Sequence, residues 1–340
     1  MDMLNRFEEE KQILECGRYF KVVCGAGNED PDEVRQLSMI YTLAGALGID
    51  VSANVEVVRA SMKGIDRAFD LASSLGIALN TRPFVTVSVG LKGDPHVRKA
   101  RIIEDLCTDC GVCLENCYQE AIDPGPPVRV TFSRCIGCGN CSKFCPVDAV
   151  EFYTRKVDFE DILPKCLSAG AENLELHAVI ADDEAVMEDW KVINRVLPDQ
   201  HVSMCLDRSQ LGNEHLIRRI RQAMSLAGER QIIQADGAPM SGGKDDFNTT
   251  LQAIAIADIV QKSGLPVKIL VSGGTNSKSG ELAKLCDLTV HGVSVGTNAR
   301  NLVRKEIHSS GFEEDSNLIW QAVQKARWLV DTNLKYIRRD

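Results

Sequence analysis

Short apolar runs alternate along the chain with longer segments whose apolar residues recur at helical spacing. This strict alternation, with short connections between its parts, is typical of β-α units that build a parallel sheet. The pattern predicts eight strands, at 19–24, 49–53, 84–89, 174–179, 201–206, 231–235, 267–271 and 288–293. It predicts helices at 3–15, 32–47, 55–75, 183–196, 210–227, 248–262, 279–286 and 316–334.

The number of strands favours an α/β fold of one kind, the (β/α)8 TIM-like barrel. An open doubly wound sheet also alternates strands with helices, but it seldom needs eight strands. Such a sheet would also need a glycine-rich fingerprint after the first strand, and Gly25-Ala-Gly27 matches only the beginning of that motif. A barrel is therefore the expected architecture.

One long segment interrupts the alternation between the third and fourth strands. We expect residues 92–164 to form an inserted module, and residues 1–91 plus 165–340 to form a discontinuous barrel. The insert leaves after strand three, on the carboxyl-terminal face, where barrel chemistry normally lies. The module is therefore expected beside the barrel mouth.

The inserted segment holds eight of the thirteen cysteines, in two copies of the spacing C-x2-C-x2-C-x3-C. The first copy is Cys107, Cys110, Cys113 and Cys117, and the second is Cys135, Cys138, Cys141 and Cys145. Each cysteine of the second copy lies 28 residues after its counterpart, as Gly139 does after Gly111. This duplication predicts a bacterial-type ferredoxin module with two [4Fe–4S] clusters.

In such modules three closely spaced cysteines hold one cluster, and the last cysteine of the other copy completes it. The first cluster is therefore expected on Cys107, Cys110, Cys113 and Cys145, and the second on Cys135, Cys138, Cys141 and Cys117. Structural zinc is less favoured because zinc sites usually present two separated ligand pairs. A disulfide framework would need a secreted protein. Tyr118 stands where the second copy has Pro146, so the two environments need not be equivalent.

Glycine-bearing loops follow the last two predicted strands, at 272–276 and 292–300. Many barrels bind phosphate at these positions through backbone N–H groups and a short helix. The residues predicted to bind a flavin or another phosphate-bearing ligand are Gly273, Gly274, Asn276, Gly292, Gly296 and Thr297. Alternatively, the glycines only make tight turns. A third loop, 236–244, adds the cation of Lys244.

Polar residues on the predicted strands could form a pocket in the barrel lumen. Glu175 and His177 alternate along the fourth strand, so both face the same side of the sheet. The candidate catalytic residues are Glu175, His177, Asp236 and Lys21, with Asp50 and Asp207 near other strand ends. For each of them, a structural role as a hydrogen-bonded lumen residue is equally open.

The composition limits the classes of function. The 340 residues carry a formal net charge of −9, which argues against binding to nucleic acid or to anionic membranes. The chain has no apolar run of transmembrane length, and its charged amino terminus does not resemble a signal peptide. A cytoplasmic location is expected.

Several motifs outside the cysteine segment resemble one family over nearly the whole chain. They are Cys16-Gly-Arg-Tyr-Phe-Lys-Val-Val-Cys24, Tyr41-Thr-Leu-Ala-Gly-Ala46, Gln234-Ala-Asp-Gly-Ala-Pro-Met-Ser-Gly242, Ser272-Gly-Gly-Thr-Asn276 and His291-Gly-Val-Ser-Val-Gly-Thr297. They resemble the LdpA (light-dependent period) iron–sulfur proteins of the cyanobacterial circadian clock input. The resemblance implies two [4Fe–4S] clusters, a link between redox state and the clock, and association with clock-input proteins. It implies no enzymatic residues.

Two hypotheses of function follow. The first is an electron relay or redox sensor, whose partners are redox donor or acceptor proteins or a quinone-linked electron source. The alternative is an iron–sulfur oxidoreductase, in which the clusters pass electrons to a substrate or a flavin in the barrel.

Overall fold

The computed structural model describes residues 3–91, 93–94, 97–154, 157–238 and 244–339. The strands of these ranges are β1 (Tyr19–Val23), β2 (Gly48–Ser52), β3 (Phe84–Gly90), β4 (Arg98–Ile102), β5 (Ile122–Asp123), β6 (Arg129–Val130), β7 (Val150–Thr154), β8 (Asn173–His177), β9 (Val202–Leu206), β10 (Gln231–Asp236), β11 (Lys268–Ser272) and β12 (Gly292–Val295). The helices are α1 (Met3–Glu15), α2 (Pro31–Leu43), α3 (Val55–Ala72), α4 (Val112–Glu115), α5 (Asn140–Lys143), α6 (Phe159–Ser168), α7 (Asp183–Val196), α8 (Asn213–Ala227), α9 (Phe247–Lys262), α10 (Ser279–Leu285), α11 (Thr297–Ile307) and α12 (Ser316–Ile337).

Eight of the strands close into a barrel in the order β1-β2-β3-β8-β9-β10-β11-β12. The pairs are all parallel, and β12 pairs back onto β1, with Tyr19 opposite Gly292. The predicted (β/α)8 barrel is confirmed. Among the described helices, none combines the length and the apolar character needed to cross a lipid bilayer.

The main hydrophobic core lies between the outer face of the barrel and the surrounding helices. Strand β8 shows the alternation: Leu174 and Leu176 pack in this core, whereas Glu175 and His177 line a cavity on the lumen side. At the amino-terminal end, Leu14 of α1 clusters with Tyr19 of β1 and closes the barrel. The polar cavity lies at the carboxyl-terminal end, where barrel enzymes hold their active sites.

The eighth strand and the helix after it differ from the prediction. The strand begins at Gly292 rather than at residue 288, because Gly292 lies opposite Tyr19, the first residue of β1, and passes very close to it. A Cβ atom at Gly292 would lie 2.4 Å from the backbone oxygen of Tyr19. Helix α11 was missed, since its first residues were assigned to a glycine loop. Its buried residues Ala299, Val303 and Ile307 nevertheless have helical spacing.

The inserted segment contains two small antiparallel sheets and repeats its backbone conformation. Strand β4 pairs with β7, and β5 pairs with β6. Left-handed backbone occurs at Gly111 (φ 76°) and Gly139 (φ 90°), and also at Glu120 (φ 50°) and Asp148 (φ 51°). Both pairs are separated by the 28 residues that separate the sequence repeats, so the duplication is conformational as well.

Helix α6 joins the insert to the barrel. Asp158 accepts a hydrogen bond from the Glu160 backbone and caps its first turn. Its residues Phe159, Leu163 and Cys166 are buried in the main core of the barrel. The expected domain boundary at 164/165 thus falls inside a helix that packs with the barrel from its first residue.

Candidate functional site

The first group of cysteines surrounds a cavity of about 330 Å³ inside the insert. The cysteines that line it are Cys107, Cys110, Cys113 and Cys145. Cys110 is exposed and the other three are partly buried, so this cavity lies on the solvent side of the module.

The second group surrounds a separate cavity of about 350 Å³. The cysteines that line it are Cys117, Cys135, Cys138 and Cys141. Cys135 and Cys141 are buried, which makes this group the more enclosed of the two. Each cavity therefore combines three cysteines of one copy with the last cysteine of the other, as the spacing predicts for two clusters.

Backbone N–H groups point at the cysteine sulfurs in both halves. The Ala121 N–H donates to Sγ of Cys117 at 3.3 Å, and the Ala149 N–H donates to Sγ of Cys145 at 3.2 Å. Such donors stabilise thiolates and tune cluster potentials. Burial raises the pKa of Cys141 to about 12, so a bound cation is needed to hold its thiolate at neutral pH. The four-cysteine cavities and their N–H donors thus fit iron–sulfur clusters.

The two groups have different neighbours. The hydroxyl of Tyr118, at the position of Pro146 in the other copy, is hydrogen-bonded to Cys138. Burial raises the pKa of Tyr118, and the adjacent Cys138 raises it further. The positive charge of Arg300 in the barrel lowers the pKa of the same phenol.

The second group is fastened to the barrel mouth. Lys99 of β4 is buried, and its ammonium donates to the backbone oxygens of Gly27, Phe132 and Cys135. Gly27 follows β1 of the barrel, whereas Phe132 and Cys135 belong to the second cysteine segment. One cation therefore ties the cysteine loop to the barrel.

A pocket of about 710 Å³ opens at the carboxyl ends of the barrel strands. Ile136, between the ligand candidates Cys135 and Cys138, forms part of its wall. Another part of the wall is formed by lumen residues, namely Asp50, Glu175, His177, Cys205, Gln234 and Asp236. The second cysteine group and the barrel pocket thus share the Ile136 loop.

The floor of the pocket is a buried network of hydrogen bonds and ion pairs. The ammonium of Lys21 lies 3.0 Å from Asp50 Oδ2 and 2.7 Å from Glu175 Oε2. Ser203 and Gln234 also donate to Glu175 Oε2. This oxygen therefore accepts three hydrogen bonds and is fixed in position.

A second set of contacts orients His177 and Cys205. The Nδ1 atom of His177 lies 2.9 Å from Asp94 Oδ2, and its Nε2 atom lies 3.5 Å from Glu175 Oε1. The thiol of Cys205 donates to Asp236 Oδ2 at 3.3 Å. The structure thus brings together Lys21, Glu175 and His177 around one network, with Asp236 at its edge.

The network holds Lys21, Glu175 and His177 in charged form, whereas burial raises the pKa of Asp50. Burial alone would lower the pKa of Lys21, but Glu175 and Asp50 raise it. Burial alone would raise the pKa of Glu175, but Lys21 and His177 lower it to about 2. Burial alone would lower the pKa of His177, but Asp94 and Glu175 raise it well above its usual value.

The glycine loops divide into two groups. Gly273, Gly274, Gly296 and Thr297 line the pocket. Gly292 instead lies in β12, and Asn276 is buried with its amide donating to the backbone oxygens of Lys244 and Asp246.

Asp207 accepts hydrogen bonds from Ser209 rather than lining the pocket. In the third loop, residues 239–243 lie outside the described part of the chain.

Four residues of the site escaped the sequence analysis: Lys99, Ile136, Cys205 and Arg300. Arg300 is buried in the first turn of α11, lines the pocket and donates to the backbone oxygen of Val23 at 2.8 Å. Only Cys205 carried a usable signal, because its strand pairs with the strand of Glu175 and His177. The other three meet the pocket through contacts between distant segments.

The fold and the cysteine cavities together define an iron–sulfur protein built on a (β/α)8 barrel with a ferredoxin-type insert. The family described as "Light dependent period A C-terminal domain" matches residues 165–332, and the "4Fe-4S binding domain" family matches residues 128–151. Light dependent period A of Synechococcus elongatus is 31% identical over 283 residues, which cover 82% of this chain and 76% of that protein. The chain therefore belongs to the light dependent period A (LdpA) family.

Other relatives match shorter parts. An uncharacterized ferredoxin of Methanocaldococcus jannaschii is 31% identical over 96 residues, covering 25% of this chain and 63% of that protein. Among solved structures, tryptophan synthase from M. tuberculosis aligns over 99% of this chain and 98% of that chain, at 10% identity and a TM-score of 0.48. A structural likeness at this level does not bear on function.

Proposed function

We propose that the protein carries two [4Fe–4S] clusters and acts as an electron relay or redox sensor. The first cluster is held by Cys107, Cys110, Cys113 and Cys145, and the second by Cys135, Cys138, Cys141 and Cys117. When bound, such clusters take up and release single electrons. The observation that carries the proposal is the pair of cavities, each lined by four cysteines.

The exposed side of the first group supplies a contact site for a redox partner protein. Leu106 (51% exposed), Phe144 (46%) and Val147 (38%) are large apolar residues beside Cys107 and Cys145. Exposed apolar patches of this kind mark protein interaction sites. Electron donors or acceptors, including a quinone-linked source, would dock here.

The charge around this patch indicates the chemistry of the partner. Glu104, Asp105 and Asp109 flank Cys107 and are all exposed. A partner with basic residues around an apolar centre would match this surface, and its association would weaken with added salt.

The enclosed side of the second group supports a sensing role. Ile136 of the second group's loop lines the pocket together with Arg300, and the charge of Arg300 lowers the pKa of Tyr118 beside Cys138. A change in the charge of the second group would act on Arg300 and bias the loops around the pocket. Clock-input proteins, the partners that the family resemblance implies, are proposed to bind in response to this change.

Reductive titration of anaerobically purified protein tests the proposal. The wild type is expected to accept about two electrons per chain, with bleaching of its visible absorbance, one for each cluster. Cys110→Ser and Cys138→Ser each remove a member of a different group and should lower this number to about one. Cys286→Ser, an exposed cysteine outside both groups, is the control and should accept about two electrons. If the wild-type protein has no visible absorbance that bleaches on reduction, the proposal is wrong.

A second candidate function, an iron–sulfur oxidoreductase, is favoured by the shared Ile136 wall. The pocket brings Gly273, Gly274 and Gly296 together with Arg300, an arrangement suited to a phosphate-bearing ligand such as a flavin. Flavin mononucleotide is the probe. Arg300→Met should weaken its binding about tenfold, whereas Arg35→Met, at a partly exposed arginine of α2 that does not line the pocket, should not. Absence of binding to the wild type would remove this candidate.

A further inference from the structure

We infer that Glu175, His177 and Cys205 form a binding site for one divalent transition-metal ion of the zinc class in the barrel lumen. Their ligand atoms lie within 4.8 Å of one another, and all three residues are buried. The site is distinct from both cysteine cavities, since its residues belong to barrel strands. The inference therefore does not depend on the proposed clusters.

The barrel backbone fixes the three side chains on one side. Glu175 and His177 alternate along β8, so both project into the lumen. His177 pairs in register with Cys205 of the neighbouring strand β9. Three potential ligands thus converge from two adjacent strands, which hold them more rigidly than loops would.

Each ligand is oriented by a contact on the side away from the centre. The Oε2 atom of Glu175 accepts from Lys21, Ser203 and Gln234, which directs Oε1 toward Nε2 of His177 at 3.5 Å. The Nδ1 atom of His177 lies 2.9 Å from Asp94 Oδ2. A carboxylate behind a histidine is the usual support for a metal-ligating imidazole, because it fixes the ring orientation.

Before metal binds, the thiol of Cys205 donates to a carboxylate, which can accept the proton that zinc displaces before it leaves to solvent. The Sγ atom of Cys205 lies 3.3 Å from Asp236 Oδ2, at the end of β10. The sulfur lines the pocket along with Glu175 and His177. The cation of Lys21 approaches Glu175 from the Oε2 side, and so leaves the Oε1 side to the metal.

The donor set selects the class of metal. Zinc binding displaces the Nε2 proton of His177 and the thiol proton of Cys205, which leave to solvent. The resulting set of one carboxylate oxygen, one imidazole nitrogen and one thiolate sulfur suits zinc, and it is too soft for magnesium or calcium. In a tetrahedral zinc site the ligand atoms lie roughly 3.3–3.8 Å apart. The side chains therefore need to close by about 1 Å, which small side-chain torsions can supply.

Three protein ligands leave one coordination position for water or substrate. Zinc sites that carry out catalysis keep such an open position, whereas structural sites are closed by four protein ligands. Here the same three residues line the pocket of about 710 Å³, so the fourth position would face a space large enough for a small molecule. The site is thus suited to Lewis-acid activation of a ligand in the pocket.

Zinc binding to the cluster-loaded protein tests the inference. Protein purified without oxygen is treated with a chelator, incubated with zinc and washed, and its zinc and iron are measured together. About one zinc per chain is expected, with the iron content unchanged. His177→Gln and Cys205→Ser should each weaken zinc binding about a hundredfold or more. The matched controls, His215→Gln on an outer helix and Cys166→Ala in the barrel core, should bind zinc as the wild type does.

X-ray absorption at the zinc edge of the wild type does not depend on how the variants fold. We expect one sulfur at about 2.3 Å together with nitrogen and oxygen ligands at about 2.0–2.1 Å. A zinc ion with four sulfur ligands would lie in a cysteine cavity and would overturn the inference. Unchanged zinc affinity in folded His177→Gln and Cys205→Ser variants would overturn it as well.

Discussion

The buried ammonium of Lys99 donates a hydrogen bond of 2.8 Å to the backbone oxygen of Cys135. The same ammonium donates to Gly27 after β1 of the barrel and to Phe132 of the insert. A single lysine therefore positions the second cysteine loop against the barrel mouth. No sequence motif predicts this contact, because it joins three segments that are far apart along the chain.

Replacing Lys99 by Met should selectively weaken the second cluster. Three carbonyl oxygens, in two buried contacts and one partly buried contact, would lose this donor, and a buried carbonyl left unpaired costs free energy. The iron content of anaerobically purified Lys99→Met should fall toward about four per chain, half of the iron of two clusters. Lys165→Met, which removes an exposed lysine paired with Asp161, is the control. Full iron content in Lys99→Met would show that the loop does not need this contact.

Replacing Lys21 by Met should destabilise the barrel strongly. Asp50 and Glu175 share this cation in the lumen, and its removal leaves two buried carboxylates without it. Loss of one partner from a buried ion pair costs about 3–5 kcal/mol. The thermal midpoint should fall clearly in Lys21→Met, and it should hardly move in Lys11→Met, whose pair with Glu229 lies at the surface. Equal midpoints in the two variants would contradict this account of the lumen.

Stability should decrease in mild acid because of His291. Burial, with Arg339 and Lys268 nearby, lowers the pKa of His291 to about 4, and its Nδ1 accepts from the Ile269 backbone. Between about pH 6.5 and pH 4 the unfolded chain binds the proton more readily, so this contribution is complete above about pH 6.5 and is lost below it.

The His291→Gln variant isolates this effect. Between about pH 7 and pH 5.5 the wild type should lose about 1 kcal/mol more stability than the variant. Thermal unfolding of both proteins at the two pH values measures the difference. Parallel losses would show that His291 is not the titrating group.

Phe144 should control the rate of electron exchange with a partner protein. It is exposed beside Cys145, and its removal would weaken docking at the first cluster without disturbing the core. Phe144→Ser should slow reduction by a donor ferredoxin about tenfold or more, while reduction by dithionite stays unchanged. Leu285→Ser removes a still more exposed apolar residue of the barrel and should leave both rates as they are. Equal slowing in both variants would argue against this docking site.

The barrel followed from the sequence because its strands and helices have local periodicity. Seven of the eight barrel strands were predicted within two residues of their ends. The eighth was displaced because it begins at Gly292, opposite the first residue of β1, a pairing that no local pattern reveals. Helix α11 was hidden by a polar sequence and by the glycine loop before it.

The candidate site was predictable only in part. The spacing of the cysteines predicted two groups of four cysteines. In the structure, each of the two cavities is lined by one of these groups. Glu175 and His177 were found because they alternate on one strand. Arg300, Lys99 and Ile136 were not found, since their roles arise from the way the insert packs on the barrel.

Iron and acid-labile sulfide analysis of protein purified without oxygen tests the central claim most directly. Two [4Fe–4S] clusters predict about eight iron and about eight sulfide per chain. The electron paramagnetic resonance spectrum of the reduced protein should show two interacting centres. A content of about four of each would leave one cysteine group without a cluster, and zinc in place of iron would contradict the account.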